Sequence, residues 1–588
     1  MVHAQPSRRP TPVALVDIGR RGTRIRSPDL GHDAGRKVND RNGTGQILSA
    51  MITRGRPEDV PRQAWCGACI IHEMMFSSLR STRQRRCPAA ESGRVAMLVA
   101  FAILPLAVPG THVAAASLRD EAAAALRRAS DYFDREVSCE GGYLWTYSLD
   151  LERRMGEQNA TASQVWVQDS GTPGVGLLFL KIHERTGEQR YLDLAGRACR
   201  ALVRGQLRSG GWDYRIEFDP ALRPRFAYRV DSPGAAVAFN QSTLDDDTTQ
   251  SALRLLILYD VATGRREREI GESVRYGLGQ LIAVQHPCGG WSQRFTGPPS
   301  APTPARPASY PESWSRSFEG KDWYGHCTFN DGAISDVIRL FLLAWRTYGD
   351  PRYLAAARQG GEFILRAQMP EPQPAWAQQY DVGMHPTWAR AFEPPAVTGG
   401  ESQGVIRTLL ELYRQTGERR FLEPIPRALA WMKRSELPDG GLARFYELRT
   451  NKPLFFTGSW PGTLELVYAD DGRPLRLQGY GYVVRSDREG LEREYARAVA
   501  ATWAPPVAES PSRPPPPTSA DEADVRRVIA ALDDRGRWIT EARCQKNAAP
   551  EPAIVVGQFV CNARILADFV AAAAADGPPA VVGPGNAP

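Results

Sequence analysis

The sequence predicts an all-α fold, an (α/α) toroid of repeated helical hairpins with a small β-hairpin region. Three observations predict it. A short turn ending in glycine recurs at Gly187, Gly264, Gly349 and Gly417, at spacings of 77, 85 and 68 residues. Each turn follows an amphipathic segment: Ile334, Val337, Ile338, Phe341, Leu342 and Trp345 fall at i, i+3, i+4, i+7, i+8 and i+11, a single apolar stripe. A second helix, such as Arg352 to Gln368, leads to an anchor 25 to 27 residues beyond the turn glycine: Trp212, Trp291, Trp376 and Leu442. Hairpins of this kind cannot bury their apolar faces alone, so they stack, and a ring with inner and outer helices closes the stack; an open solenoid is the alternative.

Taken in chain order, residues 1–93 read as a leader outside the mature fold. They are rich in Arg, Gly and Pro, and residues 1–96 hold 17 Lys and Arg against 8 Asp and Glu. The remaining chain carries 56 basic and 58 acidic residues, so the net charge of +7 belongs to the leader and implies no nucleic-acid partner. Residues 94–116 have the pattern of a secretory signal: Arg94, an apolar run from Val95 to Val108, then Ala114, Ala115 and Ala116. That position predicts a true start near Val95 or Met97 and a secreted or periplasmic protein. The run is too short, and too broken by proline, for a stable membrane span.

Trp65-Cys66-Gly67-Ala68-Cys69 looks like a redox motif but lacks a legible strand and helix around it, so it reads as chance. Six cysteines follow, at 139, 199, 288, 327, 544 and 561, without metal-ligand spacing. Residues 117–503 form the toroid, including an α-helix near 118 to 136. Leu454 to Val484 alternates as a β-hairpin, with Asp470-Asp471-Gly472 as its turn signal. Residues 504–520 are a Pro-rich linker. Residues 521–588 hold two further helices, near 521 to 540 and 561 to 576, and a tail. A monomer is expected.

The polar residues concentrate where each first helix begins. These entries read Thr243-Leu244-Asp245-Asp246-Asp247-Thr248-Thr249, then Thr328-Phe329-Asn330-Asp331-Gly332, then Thr398-Gly399-Gly400-Glu401-Ser402. Asp245 lies 19 residues before its turn glycine and Asp331 lies 18 before its own, so the repeat sets both carboxylates at matching heights on one rim. Helix capping explains one acid per helix. It does not explain three consecutive aspartates, whose mutual repulsion calls for a cation or solvent. Hard oxygen ligands favour calcium or magnesium over zinc.

Four motifs in this order resemble the pectic acid lyases of polysaccharide lyase family ten over roughly residues 120 to 500. They are Leu244-Asp245-Asp246-Asp247-Thr248-Thr249-Gln250, Thr328-Phe329-Asn330-Asp331, Trp388-Ala389-Arg390-Ala391-Phe392-Glu393, and Ala443-Arg444-Phe445-Tyr446-Glu447 with Thr450-Asn451. The resemblance implies an (α/α) toroid that cleaves polygalacturonate, an acidic polysaccharide, by β-elimination. It implies Ca2+ held by Asp245 and Asp331, Arg390 as the Brønsted base, and Asp246, Thr249, Arg366 and Arg444 as substrate-binding residues. Arginine is an awkward base, because it stays protonated far above neutral pH. The sequence departs from the family's pattern twice: Asp246 stands where Asn is frequent, and Gly458, fourteen residues beyond Arg444, stands where another substrate-gripping arginine is common.

Rival readings remain open at this level. Gln206 to Trp212 and Gln285 to Trp291 both fit Q-x-x-x-G-x-W, which also occurs in triterpene cyclases, but Leu244 leaves Asp245 without the acid partner that those enzymes need. A toroid glycoside hydrolase could use Asp245 and Asp331 as its two carboxylates. A non-catalytic glycan-binding ring is the third class.

Overall fold

The computed structural model describes residues 117–232, 238–320, 323–458, 464–469, 481–504 and 521–575. The leader, the secretory-type run, the Trp65–Cys69 motif, the Asp470–Gly472 turn signal, most of the Pro-rich linker and the tail beyond residue 575 lie outside those residues.

Twelve α-helices are present among the described residues: α1 (Leu118–Tyr132), α2 (Thr172–Thr186), α3 (Gln189–Gly205), α4 (Thr248–Ala262), α5 (Arg268–Ala283), α6 (Ala333–Tyr348), α7 (Pro351–Ala367), α8 (Gly399–Thr416), α9 (Ile425–Ser435), α10 (Arg488–Ala500), α11 (Glu522–Ala530) and α12 (Val556–Ala575). They pack as an (α/α) toroid. The inner helices follow one another in space as α12, α2, α4, α6, α8 and α10, and α1, α3, α5, α7 and α9 pack outside them. The predicted stripe of α6 faces this core: Ile334, Val337, Ile338, Phe341 and Leu342 are all buried. α1 ends at Tyr132 and runs into a π-helical turn, Phe133–Val137.

Each turn glycine is left-handed, with φ of 72°, 65°, 71° and 72° at Gly187, Gly264, Gly349 and Gly417. At Gly187, Gly349 and Gly417 the N–H donates to the carbonyl four residues back at 2.8 Å, the C-cap expected of these turns. The anchors are equally regular. Trp212, Trp291 and Trp376 are buried, and each indole N–H donates at 2.8 Å to a carbonyl of the preceding outer helix, at Leu202, Leu281 and Ile364. The loop backbone passes so close to the next outer helix that a Cβ at Gly289 would lie 2.0 Å from the Gln359 carbonyl oxygen.

The glutamine of Q-x-x-x-G-x-W is a stacking device. Gln206 Nε2 donates to the Gly210 carbonyl of its own loop and to the Ser273 carbonyl of α5. Gln285 repeats this with Gly289 and Ala356, and Gln368 with Pro374 and Pro424. The motif therefore belongs to the ring's architecture and not to a cyclase site.

The C-terminal segment repeats the same unit. The helix expected to reach residue 540 stops at Ala530, because Asp533 to Arg537 turns through Gly536 (φ 87°) into an anchor loop. There the Trp538 indole donates to the Val528 carbonyl at 2.9 Å. The strand Glu551–Val555 pairs with Thr146–Ser148, and α12 packs on α1 and α2, with Phe559 stacked on Phe133 at 3.7 Å between ring centroids. A hairpin is present in the expected stretch, but its antiparallel strands are Pro453–Gly458 and Leu464–Val467, both ahead of the expected Asp470–Gly472 turn, and Val483–Arg485 pairs instead with Gly441–Ala443. Among the described residues Cys139, Cys199, Cys288, Cys327 and Cys544 form no disulfide, and the Sγ atoms of Cys288 and Cys327 lie 3.7 Å apart. No helix among the described residues is long and apolar enough to cross a membrane.

Candidate functional site

Two short 3-10 turns, Asp245–Asp247 and Asn330–Gly332, lead into α4 and α6. They are copies of one another. The Thr243 hydroxyl accepts from the Asp245 N–H, and the Thr328 hydroxyl accepts from the Asn330 N–H. Asp246 and Asp331 both sit at φ 46°, followed by Asp247 at 58° and Gly332 at 75°. Left-handed aspartates are uncommon, and two at equivalent positions mark a site that the surrounding structure holds against local preference.

The repeat equivalence inferred from the sequence is thereby corrected by one residue. Asp246, not Asp245, matches Asp331; both lie 18 residues before their turn glycine. Asp245 matches Asn330. The predicted meeting of Asp245 and Asp331 holds, and Asp246, expected only to touch substrate, joins them. One carboxylate oxygen from each of Asp245, Asp246 and Asp331 lies within 4.8 Å of the other two.

The hydrogen-bond partners of these acids are neutral. Tyr214 donates to Asp245 at 2.5 Å, Gln293 also donates to Asp245, Gln168 donates to Asp246, and Asn330 Nδ2 donates to Asp331 at 2.6 Å. Among the described residues, none of the three forms a salt bridge. The acids just beneath behave differently: Asp247 is paired with Arg254 at 2.8 Å and Asp336 with Arg339 at 2.7 Å. The protein thus neutralises its inner acids with arginine and leaves the rim triad to something else.

The electrostatics agree. Asp331 is open to solvent on one side but hemmed in by protein. That desolvation, with the charges of Asp246 and Asp245, holds its carboxyl well above the usual range. The Asp246 carboxyl is pushed up to about 7, first by burial and then by Asp245 and Glu157. A bound divalent cation would reverse both shifts. Three carboxylates on converging turns, with neutral donors behind them, fit a hard cation such as Ca2+.

Arg390 faces this cluster and draws down the raised carboxyls of Asp246 and Asp331. Its guanidinium is forked onto the buried Glu393, at 2.8 Å and 2.6 Å. Arg444 lies beside Tyr482, whose carbonyl accepts from the Arg444 N–H at 2.7 Å. Arg444 Nε donates to the Gly481 carbonyl at 2.9 Å, and its Nη1 is 3.8 Å from Glu401.

Two predicted substrate residues have other employment. Thr249 is fully buried, and its hydroxyl accepts from the Trp212 N–H at 3.1 Å. Thr172 and Ser402 do the same for Tyr143 and Trp376, so Thr249 is one of three hydroxyl clamps and not a sugar contact. Arg366, near the end of outer helix α7, is bonded to the Cys288 carbonyl and to Glu362, and no contact among the described residues brings it to the triad.

Sequence reasoning missed Gln168, Tyr214, Gln293 and Glu157. Gln293 lies two residues beyond Trp291 and Tyr214 two beyond Trp212, so the anchor motif carried a usable signal for both. Glu157 comes from the turn between strands Arg154–Met155 and Asn159–Ala160, and nothing in the sequence pointed to it.

Residues 206–441 match the family model described as pectic acid lyase, the stretch that carries Asp245, Asp246, Asp331 and Arg390. No curated protein sequence matches the chain. Among solved structures, a family 10 polysaccharide lyase from Cellvibrio cellulosa, a variant in complex with trigalacturonic acid, aligns at 19% identity over 56% of this chain and 98% of its own, with a TM-score of 0.38. A GH76 α-mannanase from Bacteroides thetaiotaomicron aligns at 9% identity (77% and 96% covered, TM-score 0.36). A cellobiose 2-epimerase from Spirochaeta thermophila aligns at 14% identity (78% and 97%, TM-score 0.38). At these scores the structural likenesses carry no argument about chemistry.

Proposed function

From a chain whose residues 206–441 match the pectic acid lyase family, we propose a pectate lyase that cleaves α-1,4-linked polygalacturonate by β-elimination. The observation that carries it is the rim triad beside Arg390, three converging carboxylates that form no salt bridge among the described residues. In this reaction the C5 proton leaves from beside a uronate carboxylate, so a second negative charge develops next to the first. Bound by Asp245, Asp246 and Asp331, Ca2+ would supply the positive charge that the carboxylate then needs.

The chain's own residues do the rest. Arg444 offers a guanidinium for a substrate carboxylate, a charge-assisted and potentially two-pronged bond. Arg390 takes the C5 proton, the role the family resemblance implies. Its bonds to Glu393 fix the plane of the guanidinium but favour its charged form. Turnover is therefore expected to keep rising well above neutral pH, until the neutral form is populated.

A second reading draws on Asp246. A carboxyl held near pH 7 beside other carboxylates is also how a glycoside hydrolase prepares its acid. Mass spectrometry of the products separates the two: elimination gives an unsaturated uronide one water lighter than the hydrolysis product. Saturated products only would replace the lyase reading with the hydrolase one, and binding without cleavage would leave a glycan-binding ring. The polymeric substrate also fits export, as read from Val95 to Val108; N-terminal sequencing of secreted protein checks this, and a mature chain keeping residues 1–90 would refute it.

A further inference from the structure

We propose that Arg294, cupped by Tyr214 and Tyr324, forms a subsite for the carboxylate of a second uronosyl unit, next to the unit held at the rim triad; this rests on the lyase reading above. Arg294 lies on the strand Arg294–Phe295, which pairs with Ser242–Thr243 two residues before Asp245. Its guanidinium carbon is 4.3 Å from the centroid of the Tyr324 ring and 5.7 Å from that of Tyr214. Its polar contacts are long, 3.4 Å from Nη1 to Gln241 Oε1 and 3.5 Å from Nη2 to the Tyr214 hydroxyl. Nε is buried without a hydrogen-bond partner among the described residues. No carboxylate among the described residues pairs with this guanidinium, whereas Arg254, Arg339 and Arg390 each hold one.

A partly buried cation with unspent donors and two aromatic walls is arranged to receive a planar anion. The Tyr214 hydroxyl bridges from Arg294 to Asp245, so the anion would arrive beside the triad. A free anion is repelled there by Asp245, Asp246 and Glu157. A uronan chain is not, because the sugar bound at the cation brings the next carboxylate with it. The arrangement also answers a deficit. Gly458 ends the strand Pro453–Gly458 where the resemblance leads one to expect a gripping arginine, and Arg294 supplies a guanidinium from another element.

The test compares Arg294→Met and Arg294→Lys with the parent chain, on polygalacturonate and on highly methyl-esterified pectin. KM for polygalacturonate should rise about 10- to 100-fold in Arg294→Met, the scale of losing one charge-assisted pair. The effect should be smaller in Arg294→Lys and should largely vanish on the esterified polymer, whose carboxylates are blocked. Calcium affinity without substrate, read by calorimetry, should stay within about twofold. An unchanged KM, an equal loss on both polymers, or a collapse of calcium affinity would overturn the proposal, the last by making Arg294 a support for Tyr214 and Asp245. Equilibrium binding of trigalacturonate against a neutral galactose trimer gives the same comparison without turnover. Absence of unsaturated product in the parent chain would fail the lyase reading, while selective loss of trigalacturonate binding in Arg294→Met would still sustain the subsite.

Discussion

At the scale of single residues, Asp246 concentrates the chemistry. Its carboxyl is pushed up to about 7 from the ordinary 3.8 by burial and by the charges of Asp245 and Glu157. Between those two values the folded chain holds a proton that the unfolded chain releases. Without metal, this group's contribution to stability therefore falls as pH rises from about 4 to about 7 and does not recover above. Calcium replaces the proton, so its stabilising effect should grow through the same interval. Melting temperatures at pH 5 and pH 8, with calcium and with chelator, check this; a calcium shift independent of pH would contradict it. Asp331→Asn should lower kcat/KM by about 10²-fold or more, the scale of removing one group that stabilises developing charge, with little change in melting temperature under chelator. The meeting of Asp245 and Asp331 was legible in the sequence because the repeat marks both, whereas Arg390 was named by the family resemblance alone. Asp246 was named by the resemblance as a substrate contact, and the one-residue offset between the two turns hid its equivalence to Asp331. Thr249 was misread because a hydroxyl at a helix start serves a clamp as readily as a sugar.

At the scale of elements, the hairpin repeat was legible to within a few residues, since turn glycines, apolar stripes and anchors each have one physical cause. What periodicity could not show is the cross-repeat bonding that turns separate hairpins into a ring. Gln285, joining its own loop to α7, is such a bond, and Gln285→Leu should cost about 1–3 kcal/mol in a denaturant titration by stranding two carbonyls. Its calcium affinity should match the parent's. Thr249→Val makes the corresponding case at the rim: stability falls by about 1 kcal/mol while KM for polygalacturonate is retained. A raised KM with unchanged stability would return Thr249 to the substrate.

At the scale of the whole molecule, the C-terminal segment is part of the ring. α12 packs on α1 and α2, Phe559 stacks on Phe133, and Glu551 pairs with Arg153 at 2.7 Å. Removing residues 521–588 should therefore abolish a single cooperative unfolding transition, not shorten an appendage, and a truncated chain melting like the parent would show otherwise. The sequence did not reveal this, because a proline-rich stretch separates that hairpin from the other repeats and its anchor, Trp538, lacks the paired glycines. The rim triad depends on the same closure: Gln168 reaches Asp246 from the loop before α2, where α12 packs. The central claim is that Asp245, Asp246 and Asp331 hold a calcium ion for elimination. Ultraviolet absorbance of unsaturated uronide, followed on polygalacturonate while calcium is titrated into chelator-treated protein, tests it most directly. The account predicts saturable, calcium-dependent growth of that absorbance, lost in Asp331→Asn; growth unaffected by chelator, or cleavage without unsaturated product, would contradict it.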